Sequence, residues 1–157
     1  MGRSKKKVKT ANTDKLKSRE VAISQDPDKY YSQQPTWNFN TIDEECWNFG
    51  SDEARDTFWD KILPRFQQFE KCTWNEILLK NKTQNHSIKY QDLNPCAQQR
   101  LSELRFPTDS IISLRIQGGI RVYGYIPDGR GVYNILWIDL KHGDNQDCVC
   151  RSNLKHT

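Results

Sequence analysis

The fold is decided by residues 111–138, which read IISLRIQGGIRVYGYIPDGRGVYNILWI. Three runs rich in β-branched and aromatic residues (111–116, 120–126 and 132–138) are separated by Gly118-Gly119 and by the segment 128–131, Asp-Gly-Arg-Gly. Short glycine-containing segments of this kind form the turns of β-hairpins. The stretch therefore predicts a three-stranded antiparallel meander.

Helical patterns precede the meander. Ser51 is a favourable N-cap residue, and apolar residues then follow at the spacing of one helix face: Phe58, Ile62, Phe66 and Phe69. Pro64 interrupts this run and predicts a kink or two abutting helices. Two further short helices are expected where capping residues occur: Thr73 with Glu76, and Asn94 with Pro95.

These patterns predict an α+β domain over residues 35–144. Its N-terminal helices pack on one face of a small twisted antiparallel sheet, built from the C-terminal meander and a short N-terminal strand around Trp37. Ile88 and Tyr90 allow a further small strand. Residues 1–34 have almost no large apolar residue before Tyr30, so a basic disordered tail is expected there. A polar C-terminal tail is expected at residues 145–157.

The formal net charge of +4 is unevenly distributed. Residues 1–26 carry eight Lys or Arg and three acidic residues, a net charge of +5, so the rest of the chain is close to neutral. The tail can be interpreted as a nucleic-acid arm, a localisation signal or a solubilising extension. Nucleic-acid binding by the domain itself would require a local basic patch.

The five cysteines are an odd number without repeated spacing, which favours reduced thiols in a cytoplasmic protein. The N-terminus has no apolar run, so no signal peptide is expected, and no stretch approaches the ~20 apolar residues that span a bilayer. Cys148 and Cys150 lack a second Cys or His pair at zinc-site spacing. No metal, cofactor or membrane association is therefore expected.

The meander carries polar side chains that could share one face. Arg121, Tyr123 and Tyr125 alternate with apolar residues on its second strand, Arg115 lies on the first, and His142 follows the third. If the helices cover the apolar face, these side chains lie on the open one. Guanidinium groups bind phosphate oxygens in a bidentate manner, and Tyr or His can stack on a base or transfer a proton. The pattern predicts a phosphate-recognition surface.

The segment from Ser113 to Tyr123, SLRIQGGIRVY, resembles the central hairpin of the RelE/ParE superfamily of type II toxin–antitoxin toxins. In that superfamily an Arg-bearing strand, a Gly-containing turn and a second Arg followed by an aromatic residue lead into a final strand that ends near His, Arg or Tyr. The order of helices before a meander is also similar, and the RelE-like branch is favoured. That branch cleaves messenger RNA, typically on the ribosome, and is neutralised by an antitoxin, whereas the ParE-like branch inhibits DNA gyrase.

The resemblance implies roles for individual residues. Arg121 matches the arginine after the turn, which stabilises the phosphate in the transition state. His142 is the nearest match to the residue that assists proton transfer, and Tyr123 is an alternative proton carrier, so these three are the expected catalytic residues. RNA-binding residues are expected among the other basic side chains: Arg115, Lys141, Lys89 and His86. Cleavage that leaves a 2′,3′-cyclic phosphate needs no metal.

Other interpretations of the same residues remain open. An arginine on a strand most often lies on a solvated face, a tyrosine is often a packing residue, and His142 can be an ordinary exposed histidine. The alternative to a ribonuclease is a non-catalytic binding module of the same fold. Such a module could be a ParE-like gyrase inhibitor or a partner-binding domain whose basic tail contacts nucleic acid.

Overall fold

The computed structural model describes residues 30–142 and residue 149. Within them, five strands form one sheet: β1 Thr36–Asn38, β2 His86–Lys89, β3 Ser110–Gln117, β4 Ile120–Tyr125 and β5 Val132–Asp139. The order across the sheet is β1-β5-β4-β3-β2. The α+β class and the meander of β3, β4 and β5 are confirmed. The sheet is mixed and not purely antiparallel, because β1 runs parallel to β5 and so places Trp37 beside Tyr133.

A long helical segment precedes β2. It consists of α1 (Asp52–Thr57), a π-helical turn (Phe58–Ile62) and α2 (Leu63–Phe69). The predicted N-cap is confirmed, since Ser51 Oγ accepts a hydrogen bond of 3.1 Å from the Ala54 backbone amide. Pro64 lacks an N–H, and in a regular α-helix its ring would meet the carbonyl four residues earlier. The wider turn just before it, in which the Leu63 N–H donates to the Phe58 carbonyl, takes the place of the predicted kink.

Three shorter helical elements follow: a π-helical segment Asn75–Lys80, a 3₁₀ turn Tyr90–Asp92, and α3 Pro95–Glu103. The predicted capping box is present, because Thr73 Oγ1 accepts from the Glu76 amide at 3.3 Å and Glu76 Oε1 accepts from the Thr73 amide at 3.3 Å. Asn94 caps α3, as its side-chain oxygen accepts from the Cys96 amide at 3.0 Å.

The first core lies between α1–α2 and one face of the sheet. Its helical side includes Ile62, Phe66 and Phe69, and its strand side includes Leu114, Val122 and Ile135. Trp37 closes this core at the β1 edge, where its ring stacks on Phe66 with a centroid distance of 4.0 Å.

The second core lies on the opposite face and contradicts the expectation that helices pack on one face only. α3 contributes Ala97 and Leu101, and the sheet contributes Ile111, Tyr123, Leu136 and Trp137. The apolar side of α3 must be buried against another element. α3 follows edge strand β2 in the chain and packs on this second face of the sheet. Both faces of the sheet are therefore covered over much of their area.

An irregularity in β5 sends two neighbouring side chains into the second core. Tyr123 pairs with Trp137, but Gly124 pairs with Ile135, so Leu136 is an extra residue in the strand. A Cβ at position 124 would overlap the backbone oxygen of the facing strand, so the close approach at this bulge requires glycine. Trp137 is fully buried and faces the second core and not the α1–α2 helix, because the bulge reverses the alternation of side chains along β5.

The buried carboxylate of Asp43 links α3 to β5 beside the second core. Asp43, 4% exposed, accepts hydrogen bonds from Nε and Nη2 of Arg100, each at 2.8 Å, and from Nε1 of Trp137 at 2.9 Å. Burial tends to raise the pKa of Asp43, but these hydrogen bonds, together with the backbone amides of Glu45 and Cys46, outweigh it and hold the pKa well below its ordinary value. The pair therefore remains ionised across the physiological range.

Both ends of the folded part differ from the predicted boundaries. The carbonyls of Tyr31 and Gln33, which were assigned to the tail, accept hydrogen bonds of 2.9 Å from the amides of Asn75 and Trp74. Val149, assigned to the polar C-terminal tail, is fully buried in the second core, and its carbonyl accepts from the Asn94 amide at 2.8 Å. Residues 1–29, 145–148 and 150–157 of the two predicted tails lie outside the described residues. Among the helices of residues 30–142, none has the length and apolar character that crossing a membrane requires.

Asp43→Asn should lower the free energy of unfolding at pH 7 by about 3–5 kcal/mol, the usual cost of breaking a buried ion pair. Because the folded pKa of Asp43 is depressed, its contribution is present above the unfolded value of about 4 and is lost as pH falls below it. Urea denaturation at pH 7 and pH 3 should show wild type losing more stability than the variant. Equal losses of stability in wild type and Asp43→Asn would contradict the ion pair. The matched control is Asp52→Asn, which removes a carboxylate from the exposed start of α1.

Candidate phosphate-binding site at the β3–β4 turn

The two predicted phosphate-binding arginines lie side by side where β3 turns into β4. Arg115 pairs with Arg121 across these strands, and Arg121 in turn pairs with Asp139 of β5. Directly paired residues project from the same face of a sheet, with neighbouring strands ~4.8 Å apart. Two guanidinium groups and one carboxylate therefore form a row at one end of the sheet, on the face that carries the second core.

The Arg121 side chain folds back onto the turn. Its Nη1 donates to the carbonyl of Gly118 at 2.6 Å and to that of Ile120 at 3.1 Å. Gly118 has a φ of 55°, a conformation that glycine adopts without strain. The turn carbonyls thus hold the guanidinium at the end of the hairpin, where it is half-buried.

The backbone of Arg115 is fixed from two sides, while its side chain is left available. Its amide donates to Asn85 Oδ1 at 2.9 Å, and its carbonyl accepts from Arg65 Nε at 3.4 Å. Within residues 30–142 and 149, its guanidinium makes no hydrogen bond or ion pair. Asn85 is 1% exposed and also donates to the Ile77 carbonyl at 3.2 Å. Sequence reasoning missed this buried asparagine, because a polar segment between two elements favours a solvated loop.

His142 is held at the same turn by two contacts. Its backbone amide donates to the Gly119 carbonyl at 2.9 Å, and its ring nitrogen Nδ1 lies 3.1 Å from the hydroxyl of Tyr123. The first contact places the residue beside the hairpin and the second sets the orientation of the imidazole. Arg121 and His142 therefore both contact the Gly118-Gly119 turn.

Tyr123 does not lie on an open face. It is fully buried in the second core, because α3 covers the part of the sheet where an exposed phenol was expected. A side chain in that position cannot reach a large substrate directly, but its hydroxyl can orient His142. The structure thus gives Tyr123 a positioning role and not the role of a surface proton carrier.

Asp139, at the β5 end of this row, is 4% exposed. Its two carboxylate oxygens accept from the backbone amides of Lys141 at 3.0 Å and Val149 at 3.2 Å. These bonds fix the chain as it leaves β5. Lys141, the residue before His142, has an exposed side chain.

His86 and Lys89 occupy different parts of the sheet. His86 pairs with Ser113, which pairs with Tyr123, so His86 lies in the next row of the same face, ~10 Å from Tyr123 across two strand spacings. Lys89 pairs with Ser110 at the far end of β2. By the alternation of side chains along a strand it also projects from the other face. The structure does not bring Lys89 to the turn.

The arrangement combines anion-binding groups with a group that transfers protons. Arg115, Arg121 and the Asp139 carboxylate share this end of the sheet with the half-buried imidazole of His142. Guanidinium and imidazole groups are the ones that phosphate-ester chemistry uses. Among the described residues, no three His, Cys, Asp or Glu side chains cluster in a way that would hold a metal ion. No family model, curated protein or solved structure matches this chain.

Tyr123→Phe should lower the free energy of unfolding by only about 0.5–1.5 kcal/mol, because it removes one hydrogen bond and keeps the ring. Tyr123→Ala should cost about 3–5 kcal/mol, since it also leaves a cavity in the second core. Urea denaturation of both variants measures the difference. Losses below about 1 kcal/mol for both would place Tyr123 on the surface and remove its positioning role.

Proposed function

We propose that this protein is an endoribonuclease that cleaves RNA at the β3–β4 turn without a metal ion. The observation that carries the proposal is the convergence of Arg121 and His142 on one turn, with the imidazole oriented by a buried tyrosine hydroxyl 3.1 Å away. Arg115 lies directly opposite Arg121. Guanidinium groups bind the oxygens of a phosphodiester in a bidentate manner, which suits this pair to an RNA backbone.

In this reaction the ribose 2′-hydroxyl attacks the neighbouring phosphorus atom. His142 takes the 2′ proton through Nε2 as the 2′-oxygen–phosphorus bond forms, and the bond from phosphorus to the 5′-oxygen breaks. Water protonates the 5′-oxygen, and the products are a 2′,3′-cyclic phosphate and a 5′-hydroxyl. Arg121 and Arg115 stabilise the negative charge that develops on the phosphoryl oxygens. No step of this route requires a metal.

The resemblance of residues 113–123 to the RelE-like hairpin extends the proposal to a biological setting. It favours messenger RNA as substrate, free or on the ribosome, and therefore the cytoplasm as the place of action. It also favours growth inhibition that an antitoxin protein neutralises. The catalytic assignment itself depends on the geometry of the turn and not on this setting.

A partner-binding role without catalysis is the second candidate, and one surface favours it. Trp59 is 67% exposed and Phe39 is 43% exposed. Both border a groove of about 230 Å³ that is further lined by Ile42, Phe49, Arg55 and Phe58. Solvent-exposed aromatic side chains gathered in this way are typical of protein-binding surfaces. An antitoxin or another protein partner could use this groove whether or not the turn is catalytic.

Induced expression of the wild-type protein should arrest growth with loss of messenger RNA. Arg121→Ala should abolish the arrest, because loss of one transition-state charge contact lowers the rate by about 10²–10³-fold. Arg121→Lys should restore it only partly, since a point charge cannot make the bidentate contact. The measurements are growth and the amount of messenger RNA after induction.

Lys71→Ala, at an exposed position outside both the turn and the partner groove, is the control and should arrest growth like wild type. Because Arg121 also binds the turn carbonyls, each variant needs a thermal melt, and Arg115→Ala serves if Arg121→Ala unfolds. A folded Arg121→Ala protein with full toxicity would contradict the assignment. Arrest with DNA damage would support gyrase inhibition, and no arrest by wild type would support the partner-binding role.

A further inference from the structure

Two cavities adjoin at the end of the sheet that lies away from the β3–β4 turn. One has a volume of about 490 Å³ and the other about 800 Å³, and both are lined by Thr108 and Ser110. Both lie along β2 and the start of β3, and we call the two neighbouring cavities together the edge groove. Each has the volume of a small-molecule pocket, and an extended ligand could occupy both.

The edge groove combines aromatic rings with positive charge. Its rings are Tyr30, Tyr31 and Tyr125 in the first cavity, and Tyr90 and Phe106 in the second. Its cations are Lys82 in the first cavity, and Lys89 and Arg105 in the second. Of the two acidic residues in the lining, Asp128 is neutralised by Arg130, whose Nη2 lies 2.8 Å from Oδ2. The net charge of the groove is therefore positive.

The rings are held in place by the surrounding structure. The Tyr90 hydroxyl donates to the Gln98 carbonyl at 2.8 Å, which ties its ring to α3. Phe106 packs edge-on against Tyr125 with a centroid distance of 4.7 Å. Rings that are already fixed lose little conformational entropy when a planar group stacks on them.

Arg105 has a backbone conformation that glycine or asparagine usually adopts. Its φ is 52°, just after the end of α3, where glycine or asparagine is usual. A residue with a Cβ is unfavourable there, yet the side chain is exposed and borders the groove. An arginine at a position that suits glycine indicates that its charge is used.

The edge groove lies at the other end of β3 from the proposed catalytic turn. Ser110 lines the groove, and Arg115 lies five residues further along the strand, ~17 Å away at ~3.4 Å per residue. Because Ser113 and Tyr123 between them are buried, an RNA strand in the groove reaches the turn along the outer edge of the sheet.

We propose that the edge groove binds single-stranded RNA on one side of the phosphate that is cleaved. Bases stack on the tyrosine and phenylalanine rings, and phosphates pair with Lys82, Lys89 and Arg105. Alternating rings and cations of this kind are how proteins hold single strands without reading a sequence. The proposal rests on the ribonuclease function and assigns the surface that holds its substrate, including a role for Lys89 away from the turn.

The test measures fluorescence anisotropy with a labelled single-stranded RNA of ~12 nucleotides, carrying 2′-O-methyl groups so that it cannot be cleaved. The double variant Lys89→Gln with Arg105→Gly should bind at least about 10-fold more weakly than wild type. Its slope of log affinity against log salt should fall by about 1.4, or ~0.7 for each lost phosphate contact. Glycine suits the backbone at position 105, so the fold should be kept.

The control is Lys61→Gln with Lys71→Gln, which removes the same charge from exposed positions outside the groove. Equal weakening by both double variants, equal affinity for a duplex, or no binding by wild type would overturn the groove assignment. Cleavage of unmodified RNA is followed in parallel. If the groove variant cleaves RNA with an unchanged KM, the groove proposal is contradicted and the ribonuclease proposal stands. If wild type binds RNA through the groove but does not cleave unmodified RNA, the ribonuclease proposal is contradicted and the groove proposal stands.

Discussion

The bidentate ion pair between Asp43 and Arg100 connects parts of the chain that are far apart in sequence. Arg100 belongs to α3, and Asp43 lies in the segment between β1 and α1, where it also binds the indole N–H of Trp137 in β5. An unpaired carboxylate in this position would be costly, so the helix, the segment and the strand must come together to satisfy it. The ion pair thus fixes α3 against the second face of the sheet.

The position of α3 determines what the proposed site can be. With α3 in place, the middle of the second face is closed and Tyr123 becomes a core residue. The Gly118-Gly119 turn lies at the end of the sheet beyond the helix, and Arg121 and His142 both contact it there. The buried hydroxyl of Tyr123 reaches from the core to the imidazole. A tightly packed core thereby sets the geometry of an exposed group, as preorganised sites require.

Local features of this fold were predictable from sequence, and long-range features were not. The strands of the meander, the caps at Ser51 and Asn94 and the capping box at Thr73 follow from residues close together in the chain, and all were confirmed. The ion pair joins residues 57 positions apart. The extra residue in β5 depends on how β4 pairs with β5. The face of the sheet on which Trp137 lies could therefore not be predicted from the alternation of side chains alone.

In the candidate site, too, local features were predictable from sequence and long-range features were not. Arg115 and Arg121 flank one hairpin, so their proximity follows from the turn itself. His142 follows β5 and reaches the turn because β5 pairs with β4. The burial of Tyr123 depends on which face α3 covers, and the amphipathic pattern of a helix does not specify the face on which it packs. The position of Lys89 at the far end of β2 depends on the register between β2 and β3, for which a four-residue strand gives little signal.

The most direct measurement of the central claim is the chemical end group left on RNA by the purified protein in the presence of EDTA. A site built from Arg121, Arg115 and His142 predicts fragments that end in a 2′,3′-cyclic phosphate, detected by mass spectrometry. The same fragments should be absent with a folded His142→Gln variant. Either intact RNA, or 3′-hydroxyl ends that form only when Mg²⁺ is added, would contradict the proposed chemistry.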